Sequence, residues 1–128
     1  MSTPRTALIV CAALVAATCG GKSGNPGGPT PVDNPNQMVI SASGVLTPSE
    51  LVVSPGSRVL FINNHSQRHH MSSDPHPDHG DCPPIDQVGV LNQGQRRETG
   101  NLVAVGTCGL HDHDDPGNPA LRGRIVVR

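Results

Sequence analysis

Hydrophobic residues in this chain occur in short runs in which apolar and polar positions alternate, and proline and glycine separate the runs. The last run is the clearest, because residues 121–128 alternate between two sets of side chains with a period of two. That period places successive side chains on opposite faces of a β-strand. Further strands are predicted at residues 38–46, 50–53, 58–63, 87–91, 96–99 and 102–107. Many short strands with no helical period predict an all-β, antiparallel β-sandwich.

The segment at residues 66–85 interrupts this pattern. It contains little apolar periodicity and much proline, glycine, aspartate and histidine, which predicts a long surface loop. Loops of that length in a small domain are usually functional or disordered. The segment is therefore a candidate for carrying function.

The N-terminus has the pattern of an export signal. Arg5 precedes an apolar run at residues 7–17 that is too short to span a bilayer, and small residues follow it up to Cys19. We predict a signal peptide at residues 1–18. The sequence around Cys19 resembles a bacterial lipoprotein signal, in which the cysteine is lipidated and becomes the new N-terminus. Ordinary secretion with cleavage nearby is the alternative.

Glycine and proline dominate residues 19–36, which predicts a flexible tether. The folded domain is then expected at residues 37–128, which is enough for one hydrophobic core. With an export signal and a lipidated cysteine, the domain would be anchored in the bacterial cell envelope, in the periplasm or on the outer surface. The N-terminal lipid would be its one contact with a membrane.

Charge and composition narrow the choice of partners. The formal net charge is −1 and no basic stretch occurs, so nucleic acid is not an expected partner. Phe61 is the sole aromatic residue other than the histidines, so the core must be aliphatic and recognition by aromatic stacking is not expected. The expected partner is a protein that exchanges electrons or metal with this domain.

The chemistry of the chain lies in its histidines and cysteines. All seven histidines fall between His65 and His113, in two clusters that each follow a strand-like run. One of them, at residues 107–113, combines a thiol with two imidazoles. Nitrogen and sulfur donors suit copper or zinc better than magnesium or calcium, which prefer oxygen ligands. The sequence therefore predicts a metal site.

The order of these features resembles the cupredoxin family, the plastocyanin-like blue-copper proteins, over residues 38–128. Pro48, the Gly56 turn, a strand that ends at Asn63 and the spacing to His69 match the first half of the family pattern. Gly94, a strand ending at Cys108 and then His111 match the second half, while Leu121 stands where the family usually has an axial methionine. The resemblance implies a Greek-key sandwich and a type 1 copper site that carries single electrons.

That resemblance implies three metal ligands, the imidazoles of His69 and His111 and the thiolate of Cys108. They would have to converge at one rim of the sandwich. Secondary candidates are His113, two residues after His111, and His76 and His79 in the long loop.

Cys82 opens an alternative. If Cys19 is lipidated, Cys82 and Cys108 are the remaining pair in the exported domain, and oxidising compartments favour disulfides. A disulfide would remove Cys108 from the ligand set and leave a site made of histidines alone, holding type 2 copper or zinc. The corresponding functions are electron transfer, a histidine-rich module that holds or carries copper or zinc, and a metal-free structural sandwich. None of the three is an enzyme.

Overall fold

The computed structural model describes residues 34–128, which form nine β-strands and one short α-helix. The strands are β1 (Gln37–Ile40), β2 (Leu46–Thr47), β3 (Glu50–Val53), β4 (Leu60–Asn63), β5 (His69–Ser73), β6 (Gly89–Leu91), β7 (Arg96–Glu98), β8 (Gly106–Asp112) and β9 (Gly123–Val127). The helix α1 (Pro83–Asp86) precedes β6, and a 3₁₀ turn (Pro119–Leu121) precedes β9.

The predicted signal peptide at residues 1–18, the lipidation of Cys19 and the tether up to residue 33 lie outside the described residues. The first strand begins at Gln37, where the folded domain was expected to start. Within residues 34–128, no helix combines the length and the apolar character needed to cross a membrane.

The strands form two sheets, in the orders β2-β1-β4-β7 and β3-β9-β8-β5-β6. The predicted β-sandwich is confirmed, with one difference in strand direction. β1 pairs with β4 in parallel, and so does β3 with β9, whereas the other pairs are antiparallel. Parallel strands need a long connection between them. Between β1 and β4, and again between β3 and β9, the chain forms strands of the other sheet.

An aliphatic core joins the two sheets. Met38, Ile40 and Phe61 contribute from the first sheet and Met71, Leu110 and Ile125 from the second, all fully buried. Burying a side chain of this size contributes about 1.5–3 kcal/mol. Val, Leu and Ile supply most of this core, as the composition predicted, and Met38, Met71 and Phe61 are core residues that it did not predict.

Three parts of the strand prediction are corrected. The run at residues 38–46 forms two strands, β1 and β2, with a turn at residues 41–45 between them. β5 lies inside the predicted surface loop, and His69, Met71 and Ser73 of this strand are all buried. β8 begins at Gly106 and continues to Asp112, so it includes His111 instead of ending before it. Hydrophobicity alone misplaced β5 and β8, because their buried positions include polar side chains.

The pairing of β5 with β8 decides which face each functional residue occupies. Met71 lies opposite Asp112, and Ser72 lies opposite His111. Since side chains alternate along a strand, Asp112 shares the inner face with the core residue Met71, whereas His111 lies on the outer face. His111 is nevertheless buried. Something must therefore cover the outer face of the sheet at this point.

Candidate metal centre

The cover is the histidine loop, which we define as residues 74–82. The amide of Asp74 donates to the carbonyl oxygen of Gly109 in β8 at 3.0 Å, and the amide of Asp81 donates back to the carbonyl oxygen of Asp74 at 3.0 Å. The ring nitrogen Nδ1 of His79 lies 2.8 Å from the carbonyl oxygen of Ser73 at the end of β5. These bonds fold the loop over the outer face of β5 and β8.

Folding the loop back brings four imidazoles together. Each contributes one ring nitrogen to a group whose members all lie within 4.8 Å of one another. We call this group the four-histidine cluster; it comprises His76, His79, His111 and His113. Ligand nitrogens around a tetrahedral zinc ion lie about 3.3 Å apart, as follows from Zn–N bonds of about 2.0–2.1 Å. Small side-chain rotations would bring the cluster to that spacing.

His111 is the most buried member of the cluster, and its Nε2 has no hydrogen-bond partner among the residues that the structure describes. A buried polar atom without a partner costs about 1–3 kcal/mol. Its Nδ1 donates to the carboxylate of Asp74 at 2.6 Å, which leaves the lone pair of the neutral ring on Nε2. The ring therefore presents an unpaired donor atom within the cluster, as a metal ligand would.

Asp74 orients His111, and Gly109 makes room for it. A Cβ atom on Gly109 would overlap Oδ2 of Asp74 and would displace the carboxylate. Arg122 lies 3.5 Å from the same carboxylate and balances its charge. Metal-ligating histidines commonly donate their second nitrogen to a carboxylate, which fixes the tautomer and raises ligand basicity. Asp74 has that relation to His111.

His79 and His113 are held by backbone and side-chain contacts. Since Nδ1 of His79 donates to Ser73, its Nε2 is free to accept, and it lies 2.8 Å from Nδ1 of His113. His79 also has a φ of 53°, in the left-handed region that non-glycine residues rarely adopt. Such backbone strain tends to occur at functional sites.

His76 completes the cluster on its exposed side. Loss of solvent around the ring, together with the neighbouring His113, His111 and His79, lowers the pKa of His76 below its ordinary value of 6.5. A lower pKa favours the neutral imidazole, which is the form that binds metals.

Cys108 is not part of this arrangement. Its sulfur is bonded to that of Cys82, with 5.6 Å between the two Cα atoms. The disulfide alternative is therefore confirmed, and Cys108 has no thiolate to offer a metal in this structure. A type 1 copper site through His69, Cys108 and His111 does not fit these residues.

His69 is also separated from the cluster, because it lies on the inner face of the sheet. Its Nδ1 donates to the buried carboxylate of Asp112 at 2.7 Å, and its Nε2 lies 2.8 Å from Nδ1 of His65. The structure does not bring His69 together with His111. His111 instead joins the three secondary candidates.

Sequence reasoning missed Asp74, which orients His111 at the site, and Asp112, which holds His69 on the inner face of the sheet. Asp112 resembles part of an acidic surface turn, yet it is only 2% exposed and also accepts from the amides of His70 and Asp114. The burial of Asp112 could have been predicted, because Cys108, Leu110 and Asp112 follow one another at a spacing of two and so face the same side of the strand. Asp74 carried no such signal, because its role depends on how the histidine loop folds.

Replacing Asp74 with asparagine is expected to weaken Zn(II) binding by about 10–100-fold, the usual effect of losing a partner of a ligating histidine. The physical reason is that the amide no longer favours the tautomer of His111 with a free Nε2. Competition with a chromophoric chelator measures the change. Asp78→Asn removes an exposed carboxylate from the same loop and is the matched control. Equal losses in the two variants would contradict the positioning role.

Replacing Asp112 with asparagine is expected to lower the free energy of unfolding by about 2 kcal/mol, because a charge-assisted bond to buried His69 is lost. Urea denaturation measures this change. Asp115→Asn, at an exposed position nearby, should change stability by less than about 0.5 kcal/mol. Equal stability of Asp112→Asn and the unmodified chain would show that the buried pair is not stabilising.

Comparisons with known proteins bear on the fold. A purple cupredoxin from Nitrosopumilus maritimus matches with a TM-score of 0.55 and 20% identity, over 72% of this chain and 98% of its own. A mutant plastocyanin of fern matches with a TM-score of 0.57 and 16% identity, over 72% and 99%. An amicyanin mutant in the Cu(I) form matches with a TM-score of 0.53 and 20% identity, over 72% and 80%.

No family model matches this sequence, and no curated protein does so either. At identities of 16–20%, similarity to solved structures speaks for architecture alone. This similarity agrees with the two mixed sheets and with the resemblance of the sequence to the cupredoxin family. Residues 34–128 of this chain therefore have the cupredoxin fold.

Proposed function

We propose that this protein binds one Cu(II) or Zn(II) ion through the four-histidine cluster and holds it without a blue-copper centre. The observation that carries the proposal is the buried, unpartnered Nε2 of His111 in a group of four imidazoles. Folding around such an atom costs free energy in the absence of a ligand. Binding a metal ion would recover that cost and use all four rings.

The donor set selects the class of metal. Imidazole suits copper and zinc, whereas calcium and magnesium take mainly oxygen ligands, and the cluster itself contains no carboxylate. With Cys82 and Cys108 joined in a disulfide, residues 34–128 offer no thiolate that could give an intense charge-transfer colour. Bound copper would therefore be of type 2, which is the histidine-only site that the sequence left open.

The setting of this function is also a proposal. Export by residues 1–18 and lipidation of Cys19 would place the domain in the bacterial cell envelope, on a tether formed by residues 19–36. A disulfide in the folded domain fits an oxidising compartment. The partner would be a protein that donates or receives the metal. Holding and passing on a metal ion requires no catalytic step.

Reconstitution with Cu(II) and with Zn(II) tests the proposal. The chain carrying Cys11→Ser and Cys19→Ser is used, so that Cys82 and Cys108 are its only cysteines. We expect one ion per chain, and for copper a weak visible spectrum without the intense band near about 600 nm of thiolate-bound copper. An intense band would show that a cysteine thiolate binds the copper, which contradicts a site made of histidines alone. Failure of both ions to bind would leave a metal-free structural sandwich.

His65→Ala is the control for that experiment. His65 is an imidazole that stacks on His69, with ring centroids 5.0 Å apart, and it lies outside the cluster. Its removal should leave stoichiometry and affinity unchanged, whereas His76→Ala should weaken binding. Equal loss in the two variants would point to nonspecific binding by surface histidines.

One-electron transfer is the second candidate, and the cupredoxin fold is the observation that favours it. It would require the bound copper to cycle reversibly between Cu(II) and Cu(I) in the folded chain. Protein-film voltammetry of the copper-loaded chain tests this requirement. A reversible wave that is absent from the zinc-loaded chain would support electron transfer, and its absence would leave metal holding as the function.

A further inference from the structure

The disulfide connects the two segments that supply the four-histidine cluster. The histidine loop contributes His76 and His79, and the end of β8 with the residue after it contributes His111 and His113. Cys82 follows His79 by three residues, and Cys108 precedes His111 by three residues. The bond therefore joins the loop to β8 three residues from a ligand on each segment, with Cys108 on the inner face of β8 and His111 on its outer face.

Other contacts also hold the histidine loop. At its start, Asp74 donates its amide to Gly109 and accepts from His111 of β8. Further along, His79 stacks on His111 and donates to the carbonyl oxygen of Ser73 in β5. The end of the loop reaches β8 through the disulfide, and beyond it the chain is anchored by Ile85 in the core. Opening the disulfide would remove the one covalent link between the described loop and β8 and leave His76 and His79 held by noncovalent contacts.

The disulfide borders a surface groove. Cys82 and Cys108, each 7% exposed, line this groove, which has a volume of about 350 Å³. Val103 and Val105, which are 67% and 74% exposed, line it as well. The groove is therefore the side from which a small dithiol would approach the bond.

We propose that the Cys82–Cys108 disulfide is a redox latch on the metal site, which binds its ion tightly when the bond is closed and more weakly when it is open. This proposal rests on the proposed function and adds its regulation. A dithiol reductant would open the latch by transferring two electrons and two protons to the two cysteines, and would itself become a disulfide. Loss of the covalent link lets the loop move further from β8, which lowers the local concentration of two of the four ligands.

Coupling of this kind is reciprocal. If closing the disulfide raises the affinity for the metal by a given factor, then bound metal must make the disulfide harder to reduce by the same factor. A tenfold change in a two-electron equilibrium corresponds to about 30 mV. The proposal therefore predicts the same factor in two independent measurements, the change in zinc affinity and the shift in the reduction potential of the disulfide.

The first measurement compares Zn(II) affinity in two chains that both carry Cys11→Ser and Cys19→Ser. One has the intact disulfide, and the other also carries Cys82→Ala and Cys108→Ala, so that no freed thiol can act as a ligand. We expect affinity about tenfold lower without the disulfide. Circular dichroism establishes that the second chain is folded. Equal affinity in two folded chains would overturn the latch and leave the proposed function intact.

The second measurement keeps the cysteines, so it does not depend on how the alanine variant folds. The midpoint reduction potential of the disulfide is determined by thiol alkylation in glutathione buffers of different potential. The titration is done without zinc and with zinc at a fixed free concentration. We expect zinc to make the midpoint more negative by about 30 mV. In His111→Ala the shift should vanish, because the metal is no longer held at the cluster.

An unchanged midpoint in a chain that binds zinc would overturn the latch alone. Absence of zinc binding by the oxidised chain would overturn the proposed function and, with it, the latch. An equal shift in the unmodified chain and in His111→Ala would show that zinc acts on the thiols directly, which also overturns the latch.

Discussion

Replacing His111 with alanine is expected to weaken Zn(II) binding by about a hundredfold or more. Binding free energies of structural zinc sites are about 10–16 kcal/mol, so one of four ligands accounts for roughly 2.5–4 kcal/mol. A difference of about 1.4 kcal/mol corresponds to tenfold in affinity. His111 should be at the upper end of that range, because it is the buried member of the cluster and is already oriented by Asp74. Competition titration against a chelator of known affinity measures the loss.

The same substitution should affect the metal-free chain much less. Alanine removes a buried nitrogen that has no partner, which offsets part of the packing lost with the ring. We therefore expect thermal melting without metal to change little, while the increase in melting temperature on adding zinc disappears. At a zinc concentration of about 100 times Kd, that increase corresponds to about 2.7 kcal/mol in the unmodified chain. Unimpaired zinc binding by His111→Ala would exclude the four-histidine cluster as the site.

The architecture could be predicted from the sequence because its strands follow a simple period. β9 and β3 alternate cleanly, and turn residues such as Gly56 separate the strands from one another. β5 could not be predicted in the same way. Its buried positions include a histidine and a serine, whose hydrogen bonds to Asp112 and to Asp86 substitute for hydrophobic burial. A pattern built on hydrophobicity has no means of recognising such a strand.

The site could be predicted only as a set of residue types. Clustering of histidine and cysteine indicated a metal, and His76, His79, His111 and His113 were all among the candidates. The choice among them depends on the face of β8 that each residue occupies, which residue types alone do not give. Cys108 and His111 are three apart, so on a regular strand they point to opposite sides. The histidine loop covers the outer face of β8. No local pattern in residues 74–82 predicts this position of the loop.

The second large effect concerns the disulfide and the stability of the domain. The cysteines are 26 residues apart in sequence, and closing a loop of that size in the unfolded chain corresponds to about 3.5 kcal/mol of stabilisation. Marginal stabilities of small domains are about 5–15 kcal/mol. Replacing both cysteines with alanine is thus expected to remove a large share of the free energy of unfolding and to lower the melting temperature by roughly 15–25 °C.

Guanidinium denaturation of the metal-free chains measures this loss, with Cys11→Ser and Cys19→Ser in every variant. Both disulfide sulfurs belong to buried residues of the core, so alanine is preferred to serine because it adds no unpaired polar group. Val105→Ala, at an exposed position of the neighbouring groove, is the control and should be near neutral.

Chemical reduction of the unmodified cysteine pair should reproduce most of the loss, since the cross-link and not the side-chain volume is responsible. If reduction leaves stability unchanged while the alanine variant is destabilised, the cysteines stabilise the fold by packing, and the disulfide does not constrain the unfolded chain.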